Sequence, residues 1–195
     1  MIILASESAS RKAMLAAAGV AFEAVPARID EAGVTAEMTG RPVRDVADRL
    51  AELKAVKVSL RHRGAFVLGS DSMLEVDRGR WLDKPGSLEG LRTQLRDLRG
   101  RSHRLVSAAV VARDGAALWR HVEAATLHVR SFSDAWLEQY VEACGDQVLS
   151  SVGGYHLEAR GAQLFTKVEG DQFTVRGLPL LAVLGWLREA GELTT

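Results

Sequence analysis

Short apolar runs and segments of helical period alternate along the whole chain, and that alternation narrows the fold to a sheet with helices packed on it. IILA at 2–5 reads as a short buried strand. A helix from about Ser10 to Ala18 follows, with Gly19 as its stop. Residues 20–26 give a second extended piece. Arg28 to Pro42 carries glycine and proline, alternates poorly, and is expected to be a loop. Val43 to Leu60 is expected to be helical, because Val43, Val46, Ala47, Leu50, Leu53 and Val56 recur at helical steps. AFVLG at 65–69 reads as a central strand ending at Ser70-Asp71-Ser72. Met73 to Val76 can continue it, Asp77-Arg78-Gly79-Arg80 turns, and Trp81-Leu82 returns.

A further helix opens at Ser87, with Leu88, Leu91, Leu95 and Leu98 on one side and Gly100 as its end. Arg104–Arg113 and Leu118–Val129 form a long antiparallel pair around Asp114-Gly115. Ser133 starts a helix to about Ala143, and Ser150–Gly154 reads as a flexible loop. Gln163–Val168 and Phe173–Val175 are expected strands around Glu169-Gly170-Asp171, and Leu180–Ala190 is the closing helix. Hairpins require antiparallel pairs within the sheet. The expected fold class is therefore α/β: one domain, 1–195, with a mixed twisted sheet flanked by helices.

Composition limits the function. The 195 residues are 47% hydrophobic, enough for one core or two closely packed lobes. Lys+Arg 25 balance Asp+Glu 25 and only 6% are aromatic, which argues against a binder of nucleic acid polymers. The single cysteine, Cys144, excludes an intrachain disulfide and fits a reducing compartment. The apolar run at residues 1–5 is too short for a secretory leader, and no run is long enough to span a bilayer. The expectation is a soluble cytoplasmic protein without a membrane partner.

Four places could carry chemistry. LASESASRK at 4–12 sets hydroxyls and two cations at a strand-to-helix junction, where free N–H groups and the helix dipole favour an anion. Ser8 or Ser10 could donate to a phosphate oxygen, with charge from Arg11 and Lys12; read blandly, one serine caps the helix and the cations are solvated. Lys54 lies on or beside the apolar stripe of its helix, so it snorkels, pairs with a carboxylate, or reaches a cleft. Asp71, at the end of a buried strand, suits metal binding or general-base work, or is a turn residue; Asp30 and Glu31 could share a divalent ion with it. Lys84-Pro85 could aim a cation at a phosphate. There is no Walker A loop, GxGxxG, HExxH or GxSxG, and the five histidines have no metal-ligand spacing.

Taken in order, these stretches resemble the Maf family of nucleotide pyrophosphatases. The resemblance rests on LASESASRK, Asp30-Glu31, RLAELKA at 49–55, GSDS at 69–72, DKP at 83–85, GRSH at 100–103, EGD at 169–171 and GLPL at 177–180. It implies two lobes with a central cleft, commonly homodimeric, and hydrolysis of a nucleoside triphosphate to monophosphate and pyrophosphate with a divalent metal (Mg2+, Mn2+ or Co2+). By that resemblance Asp71 is the catalytic aspartate and, with Glu31, holds the metal. Ser8, Arg11, Lys54 and Lys84 contact phosphates.

Three positions bear on the nucleotide. Ser10 stands where the dTTP/UTP branch of the family carries an arginine, Ser72 follows Asp71 in GSDS rather than GADT, and Glu158 in GYHLEARG replaces a glutamine. These lean towards the 7-methyl-GTP branch, although Ser10 is not the bulky aromatic of that branch. A carboxylate also suits guanine, whose N1–H and 2-amino group are neighbouring donors. The alternatives are a dTTP/UTP pyrophosphatase, or a non-catalytic nucleotide-binding regulator of cell division.

Overall fold

The computed structural model describes residues 1–77 and 79–194. The elements run β1 (Ile2–Leu4), α1 (Ala9–Ala17), β2 (Phe22–Ala24), α2 (Glu31–Glu37), α3 (Val43–Ser59), β3 (Val67–Asp77), β4 (Arg80–Leu82), α4 (Leu88–Leu98), β5 (Ser102–Arg113), β6 (Ala116–Val129), α5 (Asp134–Cys144), β7 (Phe165–Glu169), α6 (Gln172–Val175) and α7 (Leu180–Glu189). Strands lie in the order β2-β1-β3-β5-β6-β7, with β4 also on β3. β1 runs parallel to β2 and β3, and the other pairs are antiparallel, so the sheet is mixed as expected.

β3 organises the molecule. Its alternate side chains serve opposite faces. Met73 joins Val106, Ala108 and Val110 of β5 under Val46, Ala47, Leu50 and Ala51 of α3. Leu68 faces the other way, with Leu4, Leu15, Val183 and Leu187 beneath α1 and α7. Further along that same face, Leu74 packs with Leu91 and Leu95 of α4 and Leu137 and Tyr140 of α5. Gly69 lets α3 approach closely: a Cβ there would stand 2.2 Å from the Ala51 carbonyl oxygen.

One edge of β3 is interrupted. β1 pairs with it only at Val67 and Leu68, and β4 only from Leu74 onward. Between them, residues 69–73 have no strand partner on that side. The break lies just beyond the C-terminal end of parallel strand β1, a usual place for a ligand in such sheets.

Three expectations need correction. Residues 28–42 contain α2, capped by the Asp30 side chain accepting from Gly33 N at 3.0 Å; none of its residues is buried, so no apolar stripe announces it. Phe173–Val175 belongs to the helical turn α6, capped by Asp171, not to a strand. β7 begins at Phe165, because Gln163 and Leu164 lie in a 3-10 turn. Arg78 of the expected hairpin turn lies outside the described residues. Among the described residues no helix is long and apolar enough to cross a membrane.

Candidate active site

α1 starts at Ala9 because Ser8 caps it: Ser8 Oγ accepts from Arg11 N at 3.3 Å. Arg11 therefore sits in the first turn, where the dipole disfavours a cation. Its side chain turns inward instead. Nε donates to Gly177 O at 2.7 Å, one terminal nitrogen to Ser6 Oγ at 3.2 Å and the other to Ser72 Oγ at 3.2 Å. Three of the five guanidinium N–H groups are thus taken, and two remain for an anion. Burial pulls the Arg11 pKa down, while Asp71 and Glu31 oppose that shift.

Asp71 stands at the break in the β3 edge, on the face that α3 covers. Lys54 reaches it from α3: Nζ donates to Asp71 Oδ1 at 2.6 Å and lies 2.7 Å from Glu31 Oε1. Of the readings open for Lys54, the structure selects pairing, since Lys54 and Asp71 are only 8% and 7% exposed. Burial pushes the Asp71 carboxyl above the usual range; Lys54 and Arg11 pull against this, and Glu31 adds to it. For Glu31, burial also pushes upward, but Lys54, Lys84 and Arg11 together outweigh it and its carboxyl lies below the usual range. Lys84 is exposed and acts on this group through its charge.

The fit to a divalent cation can be judged from this cluster. Two carboxylate oxygens already converge on one positive centre, the Lys54 ammonium. Among the described residues no third His, Cys, Asp or Glu joins them. Two carboxylates with remaining positions left to phosphate oxygens and water is the ligand set of Mg2+ rather than of a closed structural site. The residues fit.

Ser72 leads away from Arg11. Its hydroxyl meets Ser107 Oγ at 2.8 Å, and Ser107 donates to the Thr174 carbonyl at 2.8 Å. Ser107 has one proton, so Ser72 must donate to Ser107 and accept from Arg11. Ser10 and Glu158 lie around another residue. Ser10 Oγ donates to Arg176 O at 3.0 Å, and Glu158 Oε1 lies 3.3 Å from Arg176 Nε.

The structure thus joins Arg11 with Ser72, Lys54 with Asp71 and Glu31, and Ser10 with Glu158 through Arg176. Ser8 is held as a cap, and Asp30 caps α2 without touching Asp71. Sequence reading did not single out Ser107, Thr174 or Arg176. The glycine that opens GLPL was their only signal: Gly177 has φ of 99°, and its carbonyl takes bonds from both Arg11 and Ser70.

The Maf-like protein family matches residues 1–190 of the chain. The nucleoside triphosphate pyrophosphatase of Caulobacter vibrioides is 52% identical over 195 residues, covering 99% of this chain and 97% of its own. That of Paramagnetospirillum magneticum is 52% identical over 194 residues, covering 98% and 99%. The 7-methyl-GTP pyrophosphatase of Mesorhizobium japonicum is 47% identical over 194 residues, covering 98% and 97%.

Proposed function

The chain belongs to the family of Maf-like proteins, and from that membership and the geometry of the charged cluster at the β3 edge we propose that it is a nucleoside triphosphate pyrophosphatase acting on a guanine-type nucleotide, 7-methyl-GTP foremost. The observation that carries the reading is the buried Lys54–Asp71 pair at the break in the β3 edge, with the exposed Glu31 carboxylate on the same ammonium and Arg11 alongside. A triphosphate repels an incoming nucleophile by its own charge. Arg11, Lys54, Lys84 and the N-terminus of α1 offset that charge and hold the phosphates.

Lys54 occupies Asp71 Oδ1 and leaves Oδ2 to accept a proton. Water attacks the α-phosphorus while Asp71 takes its proton. The bond from α-phosphorus to the bridging oxygen breaks, and pyrophosphate departs in line. A raised Asp71 pKa makes this carboxylate a better base than an exposed one. Glu31 and Asp71 would hold a divalent cation, which supplies charge neutralisation on phosphate oxygens and acidifies water.

The finer choice of nucleotide rests on Glu158, a carboxylate suited to the two donors of guanine, and on similarity to a relative named for 7-methyl-GTP. The test is pyrophosphate release from 7-methyl-GTP, GTP, dTTP and UTP with Mg2+, Mn2+ or Co2+. Asp71→Asn is expected to lose turnover while keeping its circular dichroism and folded state. Full activity in that variant rejects the role of Asp71. Preference for dTTP or UTP rejects the nucleotide, and no release from any nucleotide rejects the activity.

A further inference from the structure

Ser10 and Glu158 are far apart in sequence yet share one neighbour. Ser10 Oγ donates to the Arg176 carbonyl at 3.0 Å, and Arg176 Nε lies 3.3 Å from Glu158 Oε1. The Nε is buried, yet it has no aligned hydrogen-bond acceptor among the described residues. The contact with Glu158 is therefore a charge pairing; the terminal nitrogens of this half-buried side chain make no hydrogen bond among the described residues, and they, not the enclosed Nε, carry the donors left for a ligand. The backbone beneath it is fixed. The next carbonyl, Gly177 O, takes bonds from Arg11 Nε at 2.7 Å and Ser70 Oγ at 3.1 Å. Gly177 itself has φ of 99°, a conformation that L side chains resist. Arg176 is thus rooted to the same two elements, α1 and β3, that supply Arg11 and Asp71.

We propose that Arg176 is a base-specificity residue that acts with Glu158 to read the Watson–Crick edge of a guanine-type base. The inference rests on the proposed nucleotide reading. A guanidinium beside a carboxylate presents a donor, then an acceptor, then a second acceptor. Guanine presents the complement: the O6 acceptor, the N1–H donor and the 2-amino donor. Adenine sets its 6-amino donor against the guanidinium. Uracil and thymine match at the first two positions and then set O2 against a carboxylate oxygen. A methyl group on N7 lies off this edge, so 7-methylguanine and guanine present the same order. Ser10 is too small to stack on a base, and its hydroxyl is used instead to hold the Arg176 backbone.

Single-atom changes on the base separate the two side chains. In 6-thio-GTP a sulfur, a weak acceptor, replaces O6 and leaves the other edge groups in place; ITP lacks only the 2-amino group. Wild-type enzyme is expected to favour GTP over 6-thio-GTP and over ITP, each by about tenfold in kcat/KM. Arg176→Leu should erase the first preference by lowering the GTP value, and keep the second. Glu158→Gln should erase the second. Arg176→Lys, which retains a donor, should restore part of the first. A merely structural role would lower all substrates together, and that result, or an unchanged GTP to 6-thio-GTP ratio in Arg176→Leu, overturns the proposal. Wild-type enzyme that cleaves only dTTP or UTP overturns the guanine reading and this proposal while leaving the pyrophosphatase reading intact. Absence of turnover with every nucleotide overturns that reading itself.

Discussion

Lys54 Nζ stands 2.6 Å from Asp71 Oδ1, and this single buried contact ties α3 to the interrupted edge of β3. The same ammonium lies 2.7 Å from Glu31 Oε1, so it also anchors the first residue of α2. One lysine thus offsets the charge of two carboxylates and links α2 and α3 to the β3 edge.

Lys54→Met follows directly from that contact. It leaves Asp71 as a buried carboxyl without its nearest cation, a loss of about 3 kcal/mol at neutral pH if the charge persists. Asp71 already has a folded pKa raised by burial, and losing Lys54 raises it further. A folded carboxyl with a raised pKa binds protons more tightly than the unfolded chain does, so the variant should regain stability as pH falls through that pKa. Thermal melts across pH should show this, and the acid limb of kcat/KM should move to higher pH.

Gly69 tests whether the backbone approach is needed. A methyl group there would lie 2.2 Å from Ala51 O and 2.6 Å from Ala55 N, both main-chain atoms of α3. Neither can swing aside as a side chain can, so Gly69→Ala should push α3 off the sheet and draw Lys54 from Asp71. Urea unfolding is expected to show a loss of about 3 kcal/mol, with activity falling beyond the loss of folded protein. Gly185→Ala on α7 is the control, since nothing lies within 4 Å of its added carbon, and it should be neutral or stabilising.

Period and punctuation make the scaffold legible in the sequence. The stripe from Val43 to Val56 gave α3, and AFVLG with its polar ending gave the strand that delivers Asp71. α2 escaped because all its residues are at least partly exposed, so no stripe records it, and α6 is too short for its period to be told from that of a strand. In the site, Lys54 could be suspected from its register on the stripe, but its partners could not. Arg11 binds a carbonyl 166 positions away, and Arg176 pairs with Glu158 across a 3-10 turn, β7 and α6. Such contacts are consequences of topology, which local spacing does not encode.

The hydroxyl chain from Arg11 gives a separate prediction. Arg11 donates to Ser72, Ser72 to Ser107, and Ser107 to the carbonyl of Thr174. Ser107 is fully buried, so Ser107→Ala removes one of two donors to the Thr174 carbonyl, which keeps the Gly177 N–H, and leaves the Ser72 proton without its acceptor. The expected cost is about 1–2 kcal/mol in urea unfolding. Arg11 also loses its support through Ser72, so KM for the nucleotide should rise more than kcat falls.

His103 adds a pH dependence to the stability of the fold. It is buried on β5, with Nε2 2.6 Å from the Tyr155 hydroxyl and Nδ1 without a partner among the described residues. Burial, aided by His128, lowers its pKa from 6.5 to about 4. The unfolded chain therefore binds a proton at this residue between pH 6.5 and 4, where the folded chain does not. Stability from this group is complete above pH 6.5 and is lost as pH falls to about 4, by about 3 kcal/mol in all. His103→Gln keeps a polar side chain near Tyr155 but cannot titrate in this range. Its melting temperature should fall less than that of the wild type between pH 7 and 4, after allowing for the offset at pH 7. Parallel curves for the two proteins would mean that His103 is protonated in the folded state as readily as in the unfolded chain, and the pH sensitivity would then have to come from the carboxylates.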